Sequence, residues 1–139
     1  MTPQNPDFET MVRASFARQS LMETMGGRIE RVEPGLVEIS YVRDEKLLQQ
    51  HGFMHAGVAT SLVDSACGYA ALTLAPAGWN TLTAEFKINF LRPASGSAFR
   101  AVGRVMKAGK LVSVTEGEVW QDGEKLIAKM QATNVLQPE

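Results

Sequence analysis

The chain has 139 residues, of which 45% are apolar, and 14 basic against 15 acidic side chains give a formal net charge of −1 at pH 7. This length suits one domain with a real core, and the apolar content excludes an intrinsically disordered chain. The near-zero net charge gives no bulk reason to expect nucleic acid or an anionic membrane as a partner.

The first third of the chain predicts a helix followed by a hairpin. Apolar residues recur at roughly helical spacing through residues 7–25, which predicts one amphipathic helix that Gly26-Gly27 ends. Residues 27–43 alternate between apolar and polar on both sides of Pro34-Gly35, the pattern of a β-hairpin. A polar connection with a short helical turn follows over residues 44–54.

The rest of the chain predicts a buried helix and four long strands. Residues 55–75 hold no proline and are apolar almost all round, which predicts a helix buried on most sides. From residue 79 onward the chain is β, and its first strand alternates with one apolar face: Leu82, Ala84, Phe86, Ile88 and Phe90. We therefore predict a single α+β domain over residues 1–139, in which a long antiparallel sheet wraps around a central helix, with an additional N-terminal helix.

Charged side chains are almost missing from the middle of the chain. Residues 47–84 contain one, Asp64, where the chain average of 21% would place about eight. The stretch does not predict a membrane span, because Pro76 breaks it and a carboxylate near its centre is costly in lipid. Asp64 is therefore the feature that needs an explanation.

The neighbours of Asp64 at helical spacing are all small: Gly57, Thr60, Ser61, Cys67, Gly68 and Ala71. A carboxylate in such a trough leaves room for a ligand, and burying it without a partner is expensive. The alternative is a structural carboxylate that Ser or Thr hydroxyls cap or that an arginine pairs with across an interface.

The start of this helix predicts a site for a developing negative charge. The N–H groups of Ala56 and Gly57 are expected to be unpaired at its positive end. Asp64 lies about two turns further on, roughly 12 Å away by helical rise. One substrate atom cannot easily meet both groups within one chain, which favours a dimer in which each subunit contributes one of them.

The two histidines and the one cysteine add little chemistry. His51 and His55 have the spacing of a metal pair, but no third ligand lies nearby in the sequence, so we predict no metal site. We expect His55 to cap the helix, and a catalytic pair with Asp64 is the alternative. A single cysteine, Cys67, excludes an intrachain disulfide and suits a reducing cytoplasm, and the first residues do not read as a signal peptide.

Two segments carry a family resemblance. The stretch HGFMHAGVATSLVDSACGYAA, followed by TLTAEFKINFLRPASG, resembles the hotdog-fold acyl-CoA thioesterases of the PaaI-like (phenylacetate-pathway) group. The resemblance implies hydrolysis of an acyl-CoA thioester, without cofactor or metal. It also implies a homodimer with active sites across its interface, often assembled into a tetramer. It further implies that Asp64 is the general base or nucleophile and that the backbone N–H of Ala56 polarises the thioester carbonyl.

Further residues take roles only through this resemblance. It implies that Gln49 holds water or substrate, that Thr83 orients the catalytic water and that His55 belongs to the catalytic group. The implied substrate and CoA contacts are Gly57, Ser61, Phe90, Arg92, Lys107 and Lys110. Small residues around Asp64 suggest a medium-sized or aromatic acyl group.

Two other functions fit the same sequence. A hotdog hydratase or dehydratase acting on 3-hydroxyacyl thioesters needs a histidine and a carboxylate around the acyl chain, and His51 with Asp64 faintly matches that pattern. The proline-rich loop expected between them is absent. A non-catalytic acyl-CoA-binding domain is the other alternative, if Gln49 and Ala56 mark a degenerate site.

Overall fold

A computed structural model describes residues 1–139, with three α-helices and six β-strands. The helices are α1 (Phe8–Ala17), α2 (Ser20–Met25) and α3 (Ala56–Leu72). The strands are β1 (Arg28–Glu33), β2 (Leu36–Val42), β3 (Trp79–Phe90), β4 (Ala98–Ala108), β5 (Val112–Gln121) and β6 (Lys125–Pro138). A short 3₁₀ turn, Glu45–Leu47, lies in the connection before α3.

The six strands form one sheet in the order β1-β2-β4-β5-β6-β3, and every pair is antiparallel. The central helix α3 packs against one face of this sheet. The predicted α+β hotdog architecture, with an antiparallel sheet around a central helix and additional helix at the N-terminus, is confirmed. Because β3 pairs only with β6, its other edge carries no partner strand in the chain.

Helix α3 is buried on most sides, as its composition predicts, with 11 of its 17 residues in the interior. It sits directly on the sheet because two paired glycines, Gly103 of β4 and Gly117 of β5, leave room for it. A Cβ atom at Gly103 would lie 2.3 Å from the carbonyl carbon of Ala66, and one at Gly117 would lie 2.4 Å from Cγ2 of Val63. No helix of the structure is long and apolar enough to cross a membrane.

Replacing Gly103 by alanine is expected to lower the free energy of unfolding by about 1–3 kcal/mol, because the new methyl group overlaps helix backbone that cannot move aside. Chemical denaturation of the two proteins measures this difference. Gly68→Ala is the matched control at the same interface, since its Cβ would meet its nearest atom, in Thr81, at an ordinary 3.7 Å. Equal losses in both variants would contradict the steric explanation.

The N-terminal helix differs from the prediction of one helix over residues 7–25. It is broken between α1 and α2, where Gln19 adopts an extended backbone conformation. The break lets both short helices bury a side chain in the core, Val12 from α1 and Met22 from α2. It also brings the side chain of Gln19 to α3, where it bonds to two residues. Such tertiary contacts override helical periodicity, which records only the local pattern.

Candidate active site

Asp64 is the one charged side chain of α3, and it meets the edge strand β3. The hydroxyl of Thr83 donates a hydrogen bond to Oδ1 of Asp64 at 2.7 Å. Burial raises the pKa of Asp64 above its usual value, and the hydrogen bond from Thr83 opposes this rise. A carboxylate that is poorly solvated and has no cationic partner is well suited to take a proton or attack a carbonyl.

A β-bulge directs Thr83 towards this carboxylate. Thr83 pairs with Asn134 of β6, while Glu85 pairs with Thr133, so that Ala84 is an extra residue without a partner. Bulges of this kind re-aim side chains and are frequent next to active sites. In this strand the bulge places Thr83 on the face that packs against α3.

The same bulge makes the predicted single apolar face of β3 wrong. Phe86 lies opposite the buried Ala132 and shares its face, on the core side of the sheet. Leu82 lies one residue before Thr83, points to the other face and is 56% exposed. Simple alternation could not show this, because one extra residue reverses the faces of everything that follows it.

A cavity of about 560 Å³ opens beside Asp64, between the α1–α2 junction, α3 and the start of β3. Its walls include Gln19, Ser65 and Tyr69, which are joined by hydrogen bonds. The amide of Gln19 donates to Oη of Tyr69 at 3.1 Å and accepts from Oγ of Ser65, also at 3.1 Å. Gln19 therefore holds the N-terminal segment in place as one wall of the cavity.

The trough of small residues around Asp64 is only partly as predicted. Gly68 lines the cavity, whereas Cys67 and Ala71 are fully buried in the core. Burial raises the pKa of the Cys67 thiol to about 12, so this cysteine stays protonated and is no nucleophile. The larger Tyr69 and Leu72 belong to the buried core and also line the cavity.

The N-terminus of α3 keeps one free donor instead of the predicted two. Nδ1 of His55 accepts a hydrogen bond from the N–H of Gly57 at 2.8 Å, so His55 caps the helix as expected. The prediction that the N–H of Gly57 is unpaired is therefore wrong. The N–H of Ala56 has no partner in the chain. Because Nδ1 accepts, the proton of neutral His55 lies on Nε2.

Gln49 organises the loop before α3. Its Oε1 atom accepts from the N–H of His51 at 2.6 Å and from the N–H of Phe53 at 3.1 Å. Two N–H donors settle the orientation of the amide, so Nε2 is left as a free donor. A side chain held at one end and free at the other can position a ligand without losing further rotamer entropy.

A second cavity, of about 370 Å³, lies between this loop, the start of α3 and the end of β3. It brings together four residues that the sequence singles out: Gln49, Ala56, Phe90 and Arg92. The Asp64 carboxylate and the N–H of Ala56 thus lie in different cavities of the same chain. On β3, Thr83 lines the first cavity and Phe90 lines the second. The two residues are seven positions, or roughly 23 Å along an extended strand, apart.

The remaining predicted residues lie elsewhere. Lys107 lies at the end of β4, level with Glu85 by strand register and so near Thr83 rather than Phe90, and Lys110 lies in the turn that follows. Among the predicted substrate and CoA contacts, Phe90 and Arg92 are therefore not brought together with the two lysines within one chain. The hydroxyl of Ser61 donates to the carbonyl of Gly57 at 2.8 Å. No group of three or more His, Cys, Asp or Glu side chains lies close enough together to hold a metal ion.

Two residues of this site were not predicted from the sequence. Gln19 and Asn134 contribute to the surroundings of Asp64 from 45 residues before it and 70 residues after it. Each looks like an ordinary polar residue in its own segment. One pattern in the sequence could have indicated Asn134, which is a polar residue at alternating spacing between the apolar Ala132 and Leu136.

Residues 51–128 match the sequence profile of the thioesterase superfamily. The chain is 26% identical to the 1,4-dihydroxy-2-naphthoyl-CoA hydrolase of Listeria monocytogenes, over 81% of this chain and 92% of that protein. Its fold matches that of the Escherichia coli PaaI protein from the phenylacetic acid degradation operon. That match has a TM-score of 0.87 at 21% identity and covers 95% of this chain and 94% of the other.

A thioesterase family protein from Silicibacter pomeroyi is more similar still. Its crystal structure superposes with a TM-score of 0.91 at 44% identity and covers 95% of this chain and 99% of the other. The matched profile spans more than half of the chain and includes α3 with Asp64. The chain belongs to the thioesterase superfamily and has its hotdog fold, as its motifs predict.

Proposed function

We propose that this chain is an acyl-CoA thioesterase, which hydrolyses an acyl thioester of CoA to the free acid and CoA. The observation that carries the proposal is the partly buried Asp64 carboxylate, held by Thr83 at the wall of a cavity large enough for an acyl group. Membership of the superfamily and the name of the Listeria relative support the same reaction.

Asp64 would act on the thioester carbonyl in one of two ways. As a general base it takes a proton from water, whose oxygen then attacks the carbonyl carbon. As a nucleophile it forms an acyl-enzyme anhydride that water hydrolyses. In both cases the C–S bond breaks and the CoA sulfur leaves with the electron pair and takes up a proton. The hydroxyl of Thr83 keeps the carboxylate oriented during these steps.

The N–H of Ala56 would stabilise the negative charge that forms on the carbonyl oxygen. It is free, it lies at the positive end of α3, and the methyl group of Ala56 does not affect backbone donation. The free Nε2 of Gln49 lines the same cavity and would hold water or the carbonyl oxygen. His55 contributes as the cap that orders this turn.

Two copies of the chain are needed to complete one site. The free edge of β3 is 12 residues long and exposes apolar side chains, with Leu82 56%, Phe86 45% and Phe90 48% accessible. A long apolar edge of this kind is a template for pairing with another strand. We propose that β3 pairs antiparallel with β3 of a second copy.

This pairing brings the two halves of the site together. The midpoint between Thr83 and Phe90 lies at Phe86 and Lys87, and a two-fold axis there sets the Thr83 end of one strand beside the Phe90 end of the other. The Asp64 cavity of one protomer then adjoins the Ala56 cavity of its partner. The assembly would thus contain two equivalent sites, and further association to a tetramer remains part of the proposal.

The parts of the substrate divide between the cavities. The acyl group, medium-sized or aromatic, would occupy the cavity beside Asp64, where Gly68 and Ser65 leave room for it. Phe90 and Arg92 would contact CoA from the second cavity, with Gly57 and Ser61 near the thioester and Lys107 and Lys110 as candidate phosphate contacts. We place this single-domain enzyme in the cytoplasm, where its one cysteine stays reduced.

A panel of acyl-CoA esters, with detection of the released thiol, tests the proposal. We expect hydrolysis of the aromatic and medium-chain esters. Acetyl-CoA should be hydrolysed at least about tenfold more slowly, because its small acyl group leaves the cavity largely unfilled. Release of an enoyl product without free CoA from a 3-hydroxyacyl-CoA would favour the hydratase instead. Binding without turnover of any ester would favour an acyl-CoA-binding domain.

A further inference from the structure

A chain of hydrogen bonds connects Asp64 with the buried centre of the sheet. Oγ1 of Thr115 on β5 donates to Oδ1 of Asn134 on β6 at 2.8 Å. Nδ2 of Asn134 donates to Oγ1 of Thr83 on β3 at a longer 3.4 Å, and Thr83 in turn donates to Asp64 at 2.7 Å. Three neighbouring strands and the central helix thus contribute one residue each.

The charge of Asp64 determines the direction of every bond in this chain. An ionised carboxylate can only accept, so the single hydroxyl proton of Thr83 must point to Asp64. The oxygen of Thr83 is then left to accept, and the amide nitrogen of Asn134 must face it. The amide oxygen of Asn134 consequently faces Thr115, whose hydroxyl supplies the required proton.

Stability alone does not call for a polar residue at this position. Asn134 and Thr115 are both 0% exposed, and Asn134 lies between Ala132 and Leu136 on the core face of β6. Burying an amide costs free energy that its hydrogen bonds only balance, whereas an apolar side chain of the same size would gain from burial. A role towards Asp64 explains why a fully buried amide occupies this place.

We infer that Asn134 is a positioning residue, which acts through Thr83 to hold the hydroxyl proton of Thr83 on the Asp64 carboxylate. This rests on the proposed catalytic function of Asp64. Because Asn134 satisfies the oxygen of Thr83, the hydroxyl has one favourable direction, and the carboxylate keeps one orientation towards the cavity. Chains of buried hydrogen bonds also strengthen one another, so Thr115 contributes from the far end.

The other titratable groups near the cavity do not mask the effect of Asn134 on the pKa of Asp64. Arg18, Tyr69 and Glu139 line the cavity, and Cys67 lies one turn from Asp64 on α3. Burial and the Thr83 hydroxyl, and no neighbouring charge, cause the shift in the pKa of Asp64. A change at Asn134 should therefore appear directly in the titration of Asp64.

The test combines carboxyl NMR titration of Asp64 in the free protein with the pH dependence of kcat. Asn134→Leu removes the donor while keeping the number and branching of the side-chain heavy atoms, and Thr115→Val removes the far end of the chain without changing shape. We expect both to raise the pKa of Asp64 and the acidic limb of the kcat profile, by about half a unit or more for Asn134→Leu. For that variant kcat should fall roughly 5- to 30-fold, with KM within about twofold of the original value.

Ser113→Ala is the matched control. Ser113 pairs with Asn134 in the sheet, is 1% exposed and has an unpartnered hydroxyl, yet it is not in the chain of bonds. An unchanged pKa of Asp64 in both Asn134→Leu and Thr115→Val, or an equal shift in the control, would overturn the inference. If Asn134→Leu fails to fold, Thr115→Val decides alone. A wild-type protein that hydrolyses no acyl-CoA would end the proposed function, while the NMR titration would still test the positioning.

Discussion

Asp64→Asn is expected to lower kcat for acyl-CoA hydrolysis by about a thousandfold or more, with little change in substrate affinity. Asparagine keeps the shape of the side chain and can still bond to Thr83, but it can neither take a proton nor attack the thioester carbonyl. Release of CoA thiol from the best ester of the panel, followed at saturating substrate, measures the loss.

The same substitution should leave the protein at least as stable. Burial raises the pKa of Asp64 in the folded state. At a pH above the pKa of this group in the unfolded chain, the folded protein therefore binds more protons than the unfolded one. The stability contributed by this group therefore falls as pH rises, and a neutral asparagine removes that penalty at pH 7. Thermal unfolding of both proteins at pH 7 checks this, and a stable but inactive variant separates catalysis from folding.

Asp7→Asn is the control for this prediction. Asp7 is exposed, lies before α1 and makes no side-chain hydrogen bond at the helix start, so its replacement should alter neither activity nor stability. If Asp64→Asn hydrolysed acyl-CoA at the original rate, the catalytic assignment of Asp64 would be wrong. The alternative of an acyl-CoA-binding domain would be favoured only if neither the original protein nor any variant hydrolysed any ester.

Mixing two inactive variants is expected to restore hydrolysis, because each site takes its carboxylate from one protomer and its oxyanion donor from the other. Ala56→Pro removes the free N–H at the first position of α3, where proline is well tolerated. The extended backbone of His55, at φ −60° and ψ 138°, also suits a residue before proline. Loss of this donor alone should cost about 100- to 1,000-fold in kcat.

Co-refolding Ala56→Pro and Asp64→Asn in equal amounts gives half heterodimers, and each heterodimer contains one site with both intact groups. The mixture should therefore recover about one quarter of the original activity, while neither variant alone exceeds about 1% of it. No recovery, with heterodimers present, would show that each site belongs to one chain. That result would contradict the proposed pairing along β3.

The assembly itself has an independent check. Phe86→Asp places two like charges near the proposed two-fold axis and should give a monomer by light scattering, with activity reduced together with the dimer. Val42→Asp alters an exposed apolar residue of β2, which β4, β5 and β6 separate from β3, and should leave the dimer intact. A fully active Phe86→Asp monomer would refute the shared site.

Local sequence patterns were sufficient to predict much of this fold. The missing charges of residues 47–84 identified the buried helix and Asp64, and alternation with turn signals located the strands. The capping role of His55 followed from its place before Ala56. These features depend on residues close in sequence, where periodicity and helix-end chemistry act directly.

Some local expectations were wrong for tertiary reasons. The N-terminal helix is broken so that Gln19 reaches α3, and the apolar face of β3 is reversed at Ala84 by one extra residue. The N–H of Gly57 is taken by His55. In each case a contact or a register decided the outcome, and neither is visible in the composition of a single segment.

By itself, the sequence determined the superfamily, the helix that carries Asp64, and the single carboxylate around which the proposed chemistry is built. Only the tertiary structure decided what surrounds that carboxylate. The bulge turns Thr83 towards it, Asn134 lies behind Thr83, and the free donor of Ala56 lies in a separate cavity. The physical reason is that strand register and long-range packing join residues up to 70 positions apart, while sequence patterns report only neighbours.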